Sequence, residues 1–458
     1  MSVEQVIANV ESEREAALER LFSFLRIPSI STDPAFAKDC DAAADWLVAQ
    51  LTEIGFEASK RPTPGHPMVV AHHRAEGPHM LFYGHYDVQP VDPLNLWHRD
   101  PFDPAIEEQN GVKVIRGRGT ADDKGQLMTF VEAFRAWKAV HGTLPGNLTL
   151  LFEGEEESGS PSLVPFLEEN REELSADIAH ICDTGLFDAK TPAICTMLRG
   201  LASCEFTVRG ADRDLHSGFF GGPAMNPIRV LSNLIAAMHD EHGRVTIPDF
   251  YDGVDPVPNA IKAAWDTLDF DGAALLGSVD LSEPAGEKDY SILEQIWARP
   301  TAEVNGIWGG YTGAGFKTVL PSEASAKVSF RLVGRQDPHA ILKNFEDFLR
   351  QRLPVDVKLD FRPGGASRAT VMPTDEPAFE ISRKALSEAW PNEAVFVGGG
   401  GSIPIAGHFR EILGMDSVLI GFSRDDDGLH SPNEKYDLES FQRGTESWVR
   451  ILGAMQTA

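Results

Sequence analysis

The sequence predicts an α/β fold: a mixed, mostly parallel sheet flanked by helices, interrupted by an inserted α+β domain. Three observations carry this expectation. Short apolar runs at 80–83, 148–152, 178–182 and 417–420 are bounded by polar or glycine-containing segments, as strands buried on both faces are. Helical stripes alternate with these runs up to about Ile194, the arithmetic of βα units. Near Arg199 the texture turns to one-sided alternation, which marks an antiparallel sheet with one face open to water or a ligand.

The elements follow in order. Val10, Leu18, Leu21, Phe22 and Leu25 read as one face of an amphipathic helix that stops before Pro28. Ala43, Leu47, Leu51 and Ile54 form a stripe ending at Gly55, and Leu127, Phe130, Val131, Phe134 and Trp137 form another just after Lys124 and Gly125. Beyond Arg199, Cys204, Phe206 and Val208 alternate with polar residues, as do Ala324, Ala326, Val328, Phe330 and Leu332. Val230, Leu231, Leu234, Ile235 and Met238 form a helix pattern between these strands, and Ile341, Leu342, Phe345, Phe348 and Leu349 form one after them. A chain of 458 residues exceeds one typical core. We expect residues 1–196 and 371–458 to form one domain and 197–370 the insertion.

Composition narrows the function. A formal charge of −28 argues against a nucleic-acid partner, whose backbone is bound by clustered Lys and Arg. No apolar stretch reaches the length of a membrane span, and no basic region followed by an apolar stretch marks export at the N-terminus. Cys40, Cys182, Cys195 and Cys204 form no CxxC pair, as expected of reduced thiols in the cytoplasm.

The chemistry is concentrated after the apolar runs. His85, Asp122, Glu157, Asp183 and His430 suit a metal, and strand ends of an α/β sheet would let these distant residues converge. His85 precedes Asp87 by two residues, the relation of a metal-binding imidazole to a carboxylate that orients it; a hydrogen-bonded structural histidine is the plainer alternative. Asp122 and Asp123 stand at a helix entry, where an aspartate cap is common. Glu155, Glu156 and Glu157 follow a buried strand directly; they would repel one another in a dry crevice unless a cation compensates, or else form a solvated charge run. Two histidines and three carboxylates exceed the needs of one tetrahedral zinc and suit two metals if one carboxylate bridges. HExxH, GxSxG and GxxxxGK[ST] are absent, which removes support for single-zinc helix proteases, nucleophile-elbow hydrolases and phosphate-cradle ATPases. The run Gly398 to Gly401 with Ser402 could bind an anion through its amides or be a plain turn.

The segments GHYDVQP, GRGTADDKG, EGEEESGS, ICDTG, RDLHSG, KTVLPSEASAKVSFRL, GGSIP and GLHSPNEK occur in order across nearly the whole chain. Together they resemble the aminoacylase/carnosinase family of dinuclear zinc metallopeptidases, and most resemble its dimeric, cytosolic, carnosinase-type dipeptidase branch. The resemblance implies two divalent metals per chain, zinc or alternatively manganese or cobalt. His85 and Asp183 would hold one metal, Glu157 and His430 the other, and Asp122 would bridge, followed by a cis peptide bond. It further implies Glu156 as general base for a metal-bridged hydroxide, Asp87 as the residue orienting His85, and His216 as the oxyanion donor. Arg331, Thr318, Gly401 and Ser402 would hold the substrate's carboxylate end. The implied reaction is hydrolysis of small peptides with a free C-terminus, or alternatively of N-acyl amino acids. The insertion would act as lid and dimerisation domain, with His216 serving the partner's site. One departure from the branch is visible: Gly399 and Gly400 stand where it carries an acidic residue before GGSIP.

Overall fold

The computed structural model describes residues 2–401 and 403–456, and the chain begins with two helices where the apolar periodicity predicts one. These are α1 (Val3–Ser12) and α2 (Arg14–Leu25). Glu13, at φ −95° and ψ 9°, interrupts them and resets the phase of the buried face. Val6 and Ile7 are therefore buried on α1, while Val10 and Phe22 are only half-buried. α3 (Ala37–Ile54) keeps the expected stripe and closes on Gly55, whose φ of 109° a side chain would strain.

The chain then runs through β1 (Glu57–Arg61), β2 (Met68–His73), β3 (His79–His85), β4 (Ala105–Gln109), β5 (Val112–Arg116), α4 (Lys124–His141), β6 (Asn147–Glu153), β7 (Ile178–Ile181) and β8 (Ala193–Leu198). Two compact units emerge. The first comprises Met1–Thr196, Met372–Val397 and His408–Ala458, and the second Met197–Val371 and Gly398–Gly407. The short segment 398–407 thus groups with the second unit, although the sequence reading leaves it with the first. Local bonds explain this: the amide of Arg199 donates to Gly401 O at 3.1 Å and its Nε to Gly400 O at 2.9 Å.

The second unit contains β9 (Gly200–Arg209), β10 (Leu215–His216), α5 (Pro227–Ala236), β11 (Thr301–Gly309), β12 (Val319–Leu320), β13 (Glu323–Leu332), α6 (Pro338–Gln351) and β14 (Lys358–Ser367). An antiparallel sheet in the order β11-β13-β9-β14 turns Cys204, Phe206, Val208, Ala326, Val328 and Phe330 to one face. Val230, Leu231 and Leu234 of α5 and Ile341, Phe345 and Leu349 of α6 pack into the same core. Both helices start with a side-chain cap followed by proline, Asn226-Pro227 and Asp337-Pro338. Met238 belongs to that core but lies past the end of α5.

Back in the first unit come α7 (Pro377–Ala389), β15 (Ser417–Ile420), β16 (Lys435–Asp437) and α8 (Leu438–Met455). Its sheet runs β1-β2-β6-β3-β7-β15-β8; the central strands β6, β3, β7 and β15 are parallel, and β1, β2 and β8 join antiparallel. Phe82, Phe130, Phe134, Phe152 and Trp448 form an aromatic core between this sheet and the helices, and Trp448 Nε1 donates to Thr129 Oγ1 of α4 at 2.9 Å. Parallel strands end on one side, and a ligand crevice forms there. All four cysteines are buried and none forms a disulfide. Among the described residues, no helix is long and apolar enough to cross a membrane.

Candidate metal centre

Each central strand delivers one piece of the site at its carboxyl end. β3 ends on His85, β6 runs into the short turn of helix carrying Glu156 and Glu157, β7 leads to Asp183, and β15 leads to the loop of His430. Asp122 arrives from the loop before α4, and the Asp122–Asp123 peptide bond is cis. Asp122 is the shared member: its Oδ1 lies 3.1 Å from His85 Nε2 and its Oδ2 3.0 Å from His430 Nε2. His430 Nε2 also lies 3.4 Å from Glu157 Oε2. Two overlapping ligand triplets result, His85, Asp122 and Asp183 on one side and Asp122, Glu157 and His430 on the other, with ligand atoms in each within 4.8 Å of one another.

Asp87 organises the surroundings. It is fully buried, its backbone carbonyl faces His85 Nδ1 at 3.1 Å, and its two carboxylate oxygens accept the amides of Glu156 (3.2 Å) and Glu157 (3.0 Å). A donating Nδ1 leaves the Nε2 lone pair of His85 for a metal. Gln89 Nε2 donates to Glu157 Oε2 at 2.7 Å, while the buried Glu157 Oε1 has no hydrogen-bond partner. His430 occupies the left-handed backbone region at φ 60°, which non-glycine residues adopt at a cost that functional sites tolerate.

The electrostatics show the same crowding. Burial, reinforced by Asp122, pushes the Glu157 carboxyl up to about 8; burial, partly offset by His85, raises Glu156, and Asp183 rises well above the carboxylate range for the same reasons. Burial works against the charge of Asp122 as well, but hydrogen bonds from His430 and His85 outweigh it and lower its pKa. The bond to Asp122 raises His430 to about 9. Acids this close in a dry crevice are relieved by a cation, and mixed carboxylate and imidazole donors with one orphaned oxygen fit divalent metals.

The sequence did not single out Glu434, and it offered Asp123 only as one of two acids at a helix entry, where the structure shows no side-chain cap bond. Glu434 is fully buried and accepts the amides of Gly119 (3.0 Å), Ala121 (2.8 Å) and Asp122 (3.2 Å) while pairing with Arg118 at 2.7 Å. Asp123 accepts the amide of His85 at 3.0 Å, and a Cβ on Gly84 would come within 2.8 Å of its Oδ2, so only glycine fits before that histidine. The signal was present, since both acids lie inside the segments GLHSPNEK and GRGTADDKG. Their type alone did not distinguish them from solvated charges.

The other candidates lie in the second unit. His216 pairs with Val319 in the β10–β12 ladder, is exposed, and accepts the Gly218 amide at Nδ1 (3.0 Å). That bond places the ring proton on Nε2, the donor form an oxyanion needs. Thr318 is exposed, and its carbonyl accepts the Ser217 amide at 3.0 Å. Arg331 lies half-buried on β13, on the face opposite the core. Gly401 is exposed, and Ser402 lies outside the described residues.

Residues 81–454 match the sequence model of peptidase family M20/M25/M40. The chain belongs to this family. It is a hydrolase of the metallopeptidase class, and family membership implies use of a divalent metal. This M20-family chain is 30% identical over 468 residues to the Cys-Gly metallodipeptidase dug1 of Schizosaccharomyces pombe, covering 97% of this chain and 96% of that one. It is 30% identical over 384 residues to human Beta-Ala-His dipeptidase, covering 81% and 74% of the two. Among solved structures, the dipeptidase Dug1p of Saccharomyces cerevisiae superposes with a TM-score of 0.82 at 27% identity, covering 100% and 99% of the two chains. The metallo-carboxypeptidase Sso-CP2 of Sulfolobus solfataricus does so at 0.83 and 29%, covering 96% and 99%. The carnosinase-type resemblance and the mostly parallel α/β fold are both borne out.

Proposed function

We propose that this M20 peptidase hydrolyses dipeptides with a free C-terminal carboxylate, using two divalent metals, zinc by preference, held by His85, Asp183, Glu157 and His430 with Asp122 between them. The observation that carries the reading is the placement of the two Asp122 oxygens, one against each histidine, at 3.1 and 3.0 Å. The dipeptidase names of its relatives support the substrate class. Manganese or cobalt would suit the same donors.

Bound divalent ions polarise a carbonyl and lower the pKa of water to roughly 7, so that a nucleophile exists near neutrality. The chain's own residues do the rest. Asp87 holds the amide of Glu156 and orients His85, so the carboxylate that must move a proton sits on a fixed turn. Burial raises its pKa above the ordinary carboxylate value. Glu156 takes the proton from water and returns it to the leaving amine nitrogen. His216 donates from Nε2 to the carbonyl oxygen as its negative charge grows. Arg331 offers a planar fork to the terminal carboxylate, with Thr318, Gly401 and Ser402 completing that end.

Assembly belongs to the same proposal. We read the chain as a homodimer formed through the second unit, where Phe219, Ile307, Trp308 and Phe316 are exposed and β11 is an edge strand. His216 then serves the partner's site. Four buried cysteines without a disulfide suit a cytoplasmic protein.

A substrate panel tests the reading. The zinc and manganese forms should cleave free dipeptides and leave N-acetyl and N-succinyl amino acids largely intact. Preferential cleavage of the N-acyl compounds would make the chain a deacylase.

A further inference from the structure

Arg199, at the entry of β9, lies close enough to Arg331 of β13 to feel its charge. Arg331 is paired with Leu201 on β9, and the alternation that buries Gly200 and Ala202 places Leu201 and Arg331 on the side away from the core. Arg199 precedes Leu201 by two residues and is half-buried. Burial first, and then the charge of Arg331, lowers its pKa to about 10, with Glu303 opposing. A carboxylate placed between two neighbouring guanidinium groups is bound by both and relieves their repulsion.

Arg199 also grips the glycine run by two bonds, its Nε to Gly400 O at 2.9 Å and its amide to Gly401 O at 3.1 Å. Two glycines of this run are closely packed. A Cβ on Gly398 would fall 2.5 Å from Trp297 Cβ, and one on Gly400 would meet Ile296 at 3.2 Å and Arg199 Nη2 at 3.5 Å. Gly398 and Gly400 therefore serve close approach, while a Cβ on Gly401 would meet open space, and the Arg199 side chain adds one bond to the loop at Gly400 O.

We propose that Arg199 is a positioning residue for the substrate's carboxylate end, holding the Gly398 to Gly401 loop beside Arg331 so that loop amides and guanidinium groups form one carboxylate cradle. The inference rests on the reading of Arg331 as the carboxylate-binding fork. A loop held only for stability would need one donor to Gly400 O, which lysine also supplies. A cradle needs the planar, charged group itself.

The test uses full-length enzyme, with alanyl-glycine and alanyl-glycinamide as substrates and Arg331→Ala as the reference variant. Wild type should prefer the free acid, and Arg331→Ala should abolish that preference. Arg199→Met should raise KM for alanyl-glycine at least about tenfold, as loss of a charge-assisted contact does, with kcat within about threefold. The acid-to-amide preference should fall with it, and Arg199→Lys should restore only part of both. A wild type that cleaves acid and amide equally overturns the carboxylate reading together with this inference. A wild type that discriminates, an Arg331→Ala that does not, and Arg199 variants with unchanged KM and preference overturn the role of Arg199 alone. Should Arg199→Met fail to fold, Arg199→Lys decides: a wild-type KM and preference in that variant refute the cradle.

Discussion

Glu434 accepts the backbone N–H of Asp122 at 3.2 Å, so the residue shared by both ligand triplets is held by a carboxylate more than 300 positions away in the chain. The same carboxylate takes two further amides of that loop and pairs with Arg118, itself stacked over Trp97. Glu434→Ala removes one partner of a buried pair and should cost about 3 to 5 kcal/mol of stability. It should also abolish most of the rise in melting temperature produced by zinc, because Asp122 loses its support. Calorimetric melts with and without zinc check both effects. A variant that melts like wild type in both conditions would show that the loop holds itself.

Within the acidic turn, Glu156 and Glu157 have adjacent positions and different expected fates. Glu156→Gln deletes a proton carrier and no ligand, so turnover should fall by at least about a hundredfold while elemental analysis still finds two metals per chain. Glu157→Ala should lower metal content, since His430 and Asp122 alone remain on that side. Near-normal turnover in Glu156→Gln with both metals present would reverse the assignment of base and ligand.

Much of this was legible in the residues. The four parallel strands were visible as apolar runs because a strand buried on both faces needs no polar side, and ligands at their ends followed from topology. The break at Glu13 was not legible, since periodicity reports the face a helix buries and not a one-residue change of phase. Nor was the grouping of 398–407 with the second unit, which depends on what Arg199 touches and on no local pattern. The roles of Glu434 and Asp123 were hidden for a related reason: a carboxylate that accepts backbone amides has the same composition as one in water. What distinguished Glu156, Glu157 and Asp122 from surface charges was their position directly after buried strands or at the entry of a helix whose first three turns are buried.

His180 gives a pH prediction away from the ligands. It is fully buried on β7, stacked on Phe82 at 5.0 Å and set edge-on to Trp448, and neither ring nitrogen has a hydrogen-bond partner. Burial alone lowers its pKa to about 3 from 6.5. The folded state therefore keeps it neutral, while the unfolded chain binds a proton once pH falls below 6.5. The resulting stability is fully present above 6.5 and is lost progressively toward pH 3. At pH 5 the loss amounts to about 2 kcal/mol. His180→Phe should remove that loss, so denaturant melts at pH 7.5 and pH 5 should show a smaller difference for the variant than for wild type. Equal differences would mean that the imidazole finds a proton and a partner in the folded protein.

The proposed dimer makes a demand that single variants cannot meet. His216→Ala lacks the oxyanion donor and Glu156→Ala the base, so each homodimer should be nearly inactive. In a mixed dimer, the subunit that keeps Glu156 receives the intact His216 of its partner, and the second site carries both defects. One restored site of two predicts about half the wild-type turnover per dimer. Co-expression with two different tags, followed by sequential purification, isolates the mixed species for assay beside both parents. His216 stands exposed near Phe219, with its Nε2 side unengaged by the Gly218 bond, as a group serving another chain must. A mixed dimer no more active than its parents would confine His216 to its own chain or remove it from catalysis.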